Sequence, residues 1–244
     1  MVAPFTKGML LGQRFEIVSP LGKGGMATVF CAQDLELDRL CAIKVLAPAM
    51  ASNDILRRRF LREAENAAVM SHPNIVKVYG AHIHEGAPFI AMEYVEGVTL
   101  RERLKASFPL REGLGVLGPV ALALAYAHGL SLVHRDLKPE NVFCTTRSVP
   151  MVGDWGLARS QNDGTGLTKT GTLLGTPRYM SPEQIISGGG TAQSDLYSLG
   201  VMLFELCAGR TPFPGPDVPT VLRGHIEKAV PNLHNLAPGT PRNL

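Results

Sequence analysis

The stretch Val133-His134-Arg135-Asp136-Leu137-Lys138-Pro139-Glu140-Asn141-Val142-Phe143, with Asp154-Trp155-Gly156 starting thirteen residues after Asn141, decides the reading of this chain. It sets a carboxylate, Asp136, two residues from an ammonium, Lys138, and adds two side chains with hard oxygen donors, Asn141 and Asp154. Such a set can take a proton from a hydroxyl, offset negative charge and hold a cation of the magnesium type. Phosphoryl transfer needs all three at once, because the transferred group carries its charge on several oxygens while a nucleophile is being deprotonated.

Upstream, Leu21-Gly22-Lys23-Gly24-Gly25-Met26-Ala27-Thr28-Val29 offers glycines whose missing Cβ lets backbone N–H groups approach a polyphosphate. A dinucleotide-binding fold would place a helix after such glycines and an acidic residue about 20 positions on. Here a strand pattern follows, and the residue 20 beyond Gly24 is Lys44. That lysine stands alone in the apolar run Cys41-Ala42-Ile43-Lys44, where an unpaired ammonium is costly to bury. It therefore needs anionic partners: Glu63 from the chain, and phosphates from a nucleotide.

Short apolar and β-branched runs predict strands over 15–21, 27–32, 40–46, 76–83 and 88–94, the last two flanking a turn at Glu85-Gly86. Apolar residues at helical spacing predict a helix over 54–70, ended by Ser71-His72-Pro73. Helical signals dominate beyond Gly97. The run Asp195–Cys207 predicts a helix buried on every side and capped by Gly209, while Leu114–Leu130 is too short and too interrupted by Gly115, Gly118 and Pro119 for a membrane span and predicts a buried helix. Gly188-Gly189-Gly190 is expected as a flexible connection, and Ser160–Thr176 as a long functional loop. The order of strands before helices points to an α+β fold.

Taken in this order, the motifs resemble the signature set of the protein kinase family over roughly residues 15–244. Gly24-Gly25-Met26, Arg62-Glu63-Ala64 and Tyr179-Met180-Ser181-Pro182-Glu183-Gln184 resemble the eukaryotic-like serine/threonine kinases of bacteria. The resemblance implies a two-lobed kinase fold. Residues 1–14 would be an N-terminal extension, 15–94 a small antiparallel-sheet lobe with one regulatory helix, and 95–244 a larger, mainly helical lobe. It implies ATP with Mg²⁺ as donor and protein serine or threonine hydroxyls as acceptors, the latter from Lys138 within Leu-Lys-Pro-Glu-Asn. Asp136, Lys138 and Asn141 would be catalytic, Asn141 and Asp154 metal-holding, and Lys44 with Glu63 phosphate-orienting. Leu21, Gly22, Lys23, Gly24 and Gly25 would form the phosphate loop. Leu21, Val29, Ala42 and Phe143 would sandwich adenine, Glu93 and Val95 would bond it through their backbones, and Met92 would be the gatekeeper. Arg135 before the catalytic aspartate resembles kinases switched by a phosphate on the activation loop, with Thr168 or Thr170 as acceptor through autophosphorylation, possible self-association, and Thr176 bonding Asp136 and Lys138.

Three departures stand out: Ala27 where the phosphate loop usually has a third glycine, Trp155 where the family usually has phenylalanine, and an end at Leu244 where further helices are expected. The expected partner of Glu183, an arginine, would lie in that part, so the chain is expected to be marginally stable. Pro119 is expected to disturb its helix. Lys and Arg number 24 against 21 Asp and Glu, a net +3 that argues against nucleic acid as partner. Four scattered cysteines without a C-x-x-C pair suggest neither zinc nor disulfides, and a cytoplasmic setting is expected, with any membrane anchor beyond residue 244. A noncatalytic nucleotide-binding module or scaffold is the alternative reading.

Overall fold

The computed structural model describes residues 5–106, 108–155 and 177–241. They divide into two compact units, Met1–Glu96 and Gly97–Leu244.

In the first unit six strands, β1 (Leu10–Leu11), β2 (Phe15–Lys23), β3 (Ala27–Asp34), β4 (Arg39–Leu46), β5 (Val78–His84) and β6 (Ala87–Glu93), form one antiparallel sheet in the order β1-β2-β3-β4-β6-β5. The β5–β6 hairpin closes through Glu85 (φ 47°) and Gly86 (φ 81°), with His84 opposite Ala87. Two consecutive positive φ values mark a type I′ turn, whose twist matches that of the strands. Alternation along the strands sorts side chains to two faces. Phe15, Ile17, Phe30, Ala32, Cys41, Ile43, Val45, Phe89 and Ala91 form one core together with Leu11, and Phe5, Met9 and Tyr79 pack against it. Residues before Phe15, expected as an extension, thus complete the sheet and seal its core.

The short helix α1 (Pro48–Ala51) leads into α2 (Asp54–Ala68), which starts where the Asn53 side chain accepts from the N–H groups of Ile55 and Leu56. Its buried Phe60, Ala64 and Ala67 recur at helical spacing and pack over β5 and β6. None belongs to the first core, so α2 covers the opposite sheet face, the one that carries Val29, Ala42, Lys44, Ile90 and Met92.

The second unit begins with β7 (Gly97–Thr99), which joins β8 (Val142–Thr145) and β9 (Pro150–Val152) in a three-stranded sheet. Helix α3 (Leu100–Lys105) starts on a Thr99/Glu102 capping box. The long α4 (Leu110–Gly129) packs against α6 (Ala192–Ala208), and Gly113 permits the approach: a Cβ there would lie 2.3 Å from Leu206 Cδ1. Pro119 does not break α4; it is half-buried, directly after exposed Gly118, and its missing N–H deprives the carbonyl of exposed Gly115, one turn earlier, of its helical donor. The chain then runs through α5 (Pro182–Ser187), α7 (Val218–Glu227) and α8 (Leu233–Leu236).

Two helices expected to be buried all round are not. On α6, Leu196 is 53% exposed and Gly200 is open, and on α4, Leu122 is 64% exposed. By length and composition α4 alone among the described helices could cross a membrane, yet Val116, Leu117, Val120, Ala123, Leu124 and Ala127 are buried against protein. The three-glycine run is also not a loose connection. Gly188 adopts the left-handed conformation that ends α5 (φ 74°), and buried Gly190 lies against Arg135, whose Cγ would be 2.9 Å from a Cβ there.

Candidate active site

The chain from His134 to Asn141 owes its shape to a carboxylate sixty residues away. Asp195, in the first turn of α6 and 1% exposed, accepts from the His134 N–H through Oδ2 and from the Arg135 N–H through Oδ1, both at 2.8 Å. His128 Nε2, at the end of α4, lies 2.8 Å from the same Oδ2. These bonds hold Arg135 at φ 68°, a left-handed conformation that costs a residue with a Cβ about 1–2 kcal/mol. Gln184 Nε2 fastens the Arg135 carbonyl from α5 at 2.8 Å.

Fully buried His134 links this loop to the segment after β9 that bears Asp154. Its Nδ1 accepts from the Asp136 N–H (3.3 Å), so Nε2 carries the proton and donates to the Gly153 carbonyl (2.9 Å). The Trp155 ring lies tilted by 50° against that of His134, with centroids 4.9 Å apart, and donates Nε1–H to the Val152 carbonyl at 3.0 Å. The larger ring at this position is thereby accommodated as a satisfied core aromatic, 5% exposed.

On this frame the polar groups converge. Lys138 Nζ donates to Asp136 Oδ2 at 2.6 Å. Asn141 Nδ2 donates to the Asp136 carbonyl at 2.8 Å and lies 3.4 Å from Asp136 Oδ2. Among the described residues Asp136 Oδ1 accepts no hydrogen bond. A 3₁₀ turn, Pro139–Asn141, leads into β8, and the Gly153 N–H donates to the Asn141 carbonyl at 2.9 Å. The β8–β9 register, Val142 opposite Val152, therefore sets Asn141 beside Gly153 and its neighbour Asp154, which has φ 59°. The structure thus brings Asp136, Lys138, Asn141 and Asp154 to one end of one hairpin. Phe143 is half-buried on β8.

The remaining expected residues lie in the first unit. Val29 pairs with Lys44, Lys44 with Ile90, and Ala42 with Met92, so these side chains share one sheet face across β3, β4 and β6. Glu63 lies on the inward side of α2 between Phe60 and Ala64. Gly22 pairs with Val29 and Lys23 with Thr28, and the Gly24 N–H donates to the Ala27 carbonyl at 2.9 Å, closing the turn. A Cβ on Gly22 or Gly25 would meet nothing within 4 Å, so packing among the described residues does not demand glycine there. Leu21 is 47% exposed and Val95 half-buried. The Glu93 N–H donates to the Lys77 carbonyl (2.8 Å) at the end of β6. Gly156, Thr168, Thr170 and Thr176 lie outside the described residues.

Sequence reasoning missed a second polar group, centred on Arg101 of α3. Its guanidinium donates to Glu140 Oε1 and Glu205 Oε1, each at 2.8 Å, and to the Tyr179 hydroxyl, which donates in turn to Glu205 Oε2 at 2.5 Å. Burial alone would lower the Arg101 pKa, but the two carboxylates hold it above its ordinary value. Burial, and then the bond to Glu205, raises that of Tyr179. Glu183, expected to pair with an arginine, accepts from Ser194 Oγ at 2.5 Å; burial would raise its pKa, and this bond holds it below the usual carboxylate value.

A carboxylate held by an ammonium beside an asparagine and a second aspartate, on an α+β frame of this topology, is the arrangement expected of a protein kinase domain. The chain belongs to that family, whose model, "Protein kinase domain", matches residues 15–239. It is similar to the serine/threonine-protein kinase PrkC of Bacillus subtilis, 39% identical over 242 residues, covering 97% of this chain and 37% of PrkC. It is likewise 39% identical to PknB of Mycobacterium tuberculosis over 225 residues, covering 89% of this chain and 36% of PknB. The chain therefore spans well under half the length of these curated relatives. The crystal structure of the M. tuberculosis PknI kinase domain superposes with a TM-score of 0.74 at 30% identity, covering 97% of this chain and 86% of that one. Both the expected kinship with bacterial serine/threonine kinases and the expected fold class are borne out.

Proposed function

We propose that this chain is a serine/threonine protein kinase that moves the terminal phosphoryl group of ATP onto protein hydroxyls. The observation that carries the proposal is the state of Asp136: Oδ2 is held by Lys138 at 2.6 Å while Oδ1 stays open among the described residues. A carboxylate oriented in this way can accept the proton of a hydroxyl. The acceptor class rests on Lys138 in its Leu-Lys-Pro-Glu-Asn context and on the names of the relatives.

Magnesium fits the donor set. Asn141 spends its amide N–H on the Asp136 carbonyl and so presents a carbonyl oxygen, and Asp154 adds a carboxylate beside it. Both are hard oxygen ligands, and Mg²⁺ prefers one or two such groups completed by phosphate oxygens and water. When bound, the ion and nucleotide supply the activated phosphoryl group and neutralise charge on its oxygens. The chain's own part is to orient the acceptor hydroxyl and take its proton at Asp136 Oδ1, to keep Lys138 beside the transferred group, and to hold Asn141 through the 3₁₀ turn. Lys44, with Glu63 on the helix over its sheet face, is assigned to phosphate binding. The open space at Gly22 and Gly25 supports a backbone approach to phosphates. Val29, Ala42 and Met92, aligned by register, are assigned to the base.

The test is transfer of labelled phosphate from Mg-ATP to a generic basic protein, with intact mass recorded in parallel. Wild-type chain should label the protein and gain phosphate on Thr168 or Thr170. Asp136→Asn should lower both by at least about a thousandfold while melting within a few degrees of wild type. Equal transfer by Asp136→Asn would reject the assignment. Binding of ATP without transfer would favour the noncatalytic module.

A further inference from the structure

Three elements distant in sequence meet at one side chain. Arg101 is only 21% exposed, and its planar fork spans Glu140 in the 3₁₀ turn Pro139–Asn141, Tyr179 at the end of a second 3₁₀ turn (Pro177–Tyr179), and Glu205 on α6. Helix α6 is the fixed member, since it also carries Asp195 and packs against α4. The two 3₁₀ turns are three residues each, with Pro139, Asn141 and Tyr179 buried. Glu140 directly precedes Asn141, whose amide orients the Asp136 carbonyl. Tyr179 is held a second time, by Ser198 Oγ of α6 on its carbonyl at 2.7 Å.

We propose that Arg101 is a positioning residue for phosphoryl transfer, setting Asn141 through Glu140. It touches no reacting atom; its effect passes along Arg101, Glu140 and the backbone of the turn. A lysine cannot replace it, because one ammonium cannot meet acceptors on three elements in a fixed planar array. The proposal rests on the kinase reading above, since it needs a reaction to position.

The experiment is a double-mutant cycle on the full chain, with kcat and KM for ATP measured for wild type, Arg101→Gln, Glu140→Gln and the double variant. If Arg101 acts through Glu140, each single change lowers kcat by about tenfold with KM for ATP within about twofold, and the double variant falls no further than the lower single one. Arg101→Lys should stay near Arg101→Gln. Multiplying effects in the double variant, or wild-type kcat in both single variants, overturns the proposal. Should Arg101→Gln fail to fold, Glu140→Gln decides alone: it keeps the Arg101 bonds to Glu205 and Tyr179, and wild-type kcat in that variant overturns the proposal. Absence of transfer by the wild-type chain removes the kinase reading and this proposal together, whereas wild-type transfer with unaffected variants removes this proposal only.

Discussion

Replacing Asp195 by asparagine exchanges one carboxylate oxygen for an NH₂ group and tests how the catalytic loop is held. In the wild type one carboxylate accepts from two successive backbone N–H groups at 2.8 Å and meets His128 at the same distance. Asparagine keeps one acceptor oxygen and turns an NH₂ toward the other backbone donor, so one charge-assisted bond is lost and a buried N–H is left without an acceptor. Bonds to charged groups contribute about 1.5–3 kcal/mol and an orphaned buried donor costs about 1–3 kcal/mol; as these overlap, a loss of about 2–4 kcal/mol is expected. For a domain of this size that corresponds to a fall in melting temperature of about 4–16 °C. The same change releases Arg135 from φ 68°, a conformation it keeps only because both ends of Asp195 are engaged. Phosphate transfer, measured at a temperature where both proteins are folded, should therefore fall by at least about tenfold. Melting within 2 °C of wild type together with transfer within about twofold would refute the reasoning, because a loop held so by one buried carboxylate cannot be indifferent to its chemistry.

Burial pushes the pKa of the His225 imidazole, 4% exposed and 2.7 Å from the Tyr197 hydroxyl, from its ordinary 6.5 down to about 4. The unfolded chain then takes up a proton that the folded chain refuses, so stability is unaffected well above pH 6.5 and falls as pH drops from 6.5 toward 4. Denaturant melts of wild type should lose about 2 kcal/mol more between pH 7 and pH 5 than those of His225→Gln; parallel curves would contradict the assignment. Gly190→Ala brings a Cβ to 2.9 Å from Arg135 Cγ and 3.2 Å from Gln184 Nε2, and should destabilise by about 1–3 kcal/mol with a fall in transfer; unchanged melting would show that Arg135 is free to give way. Pro119→Ala restores an N–H in the middle of α4 and should raise the melting temperature, by an amount equivalent to about 1–3 kcal/mol, with no change in activity. A lower melting temperature would mean that the proline is favoured by a constraint on the unfolded chain.

What was legible in the sequence followed from local chemistry. Strand alternation gave the sheet of the first unit, Glu85-Gly86 its turn, and the Asp136 to Asn141 spacing the polar cluster, because each signal lies within a dozen residues. The misses are long-range. Asp195 and Glu205 sit in a helix whose apolar sequence suggested burial all round, yet they hold groups sixty and about a hundred residues away. The argument applied to Lys44, that a lone charge in an apolar run must have a partner, would have singled out both acids. Gly190 looked like linker because three glycines in a row suggest flexibility, whereas one caps a helix and another gives room to Arg135. Leu10–Leu11 was too short to stand out as a strand, and its role is visible only once β2 is beside it.

Two of those misses, Asp195 and Glu205, share one helix, and that is informative about how the site is built. Asp195 and Glu205 are ten residues apart on α6, about 15 Å along its axis at 1.5 Å per residue. At one end the helix fixes the backbone before Asp136; at the other it fixes Arg101, and through it the turn carrying Asn141 and the segment ending at Tyr179. Ser198, between them, secures the Tyr179 carbonyl. A continuous helix changes length little without breaking its own hydrogen bonds, so it serves as a ruler that sets the loop, the turn and the second 3₁₀ segment at fixed separations. In-line transfer needs such fixed spacing, since acceptor, base and metal ligands must keep their separations while a group passes between them. Insertion of one alanine in α6 between Ser198 and Glu205 tests this directly: it should rotate Glu205 by about 100° away from Arg101 and abolish transfer, while leaving Asp195 in place, and retained activity would show that the two ends act independently.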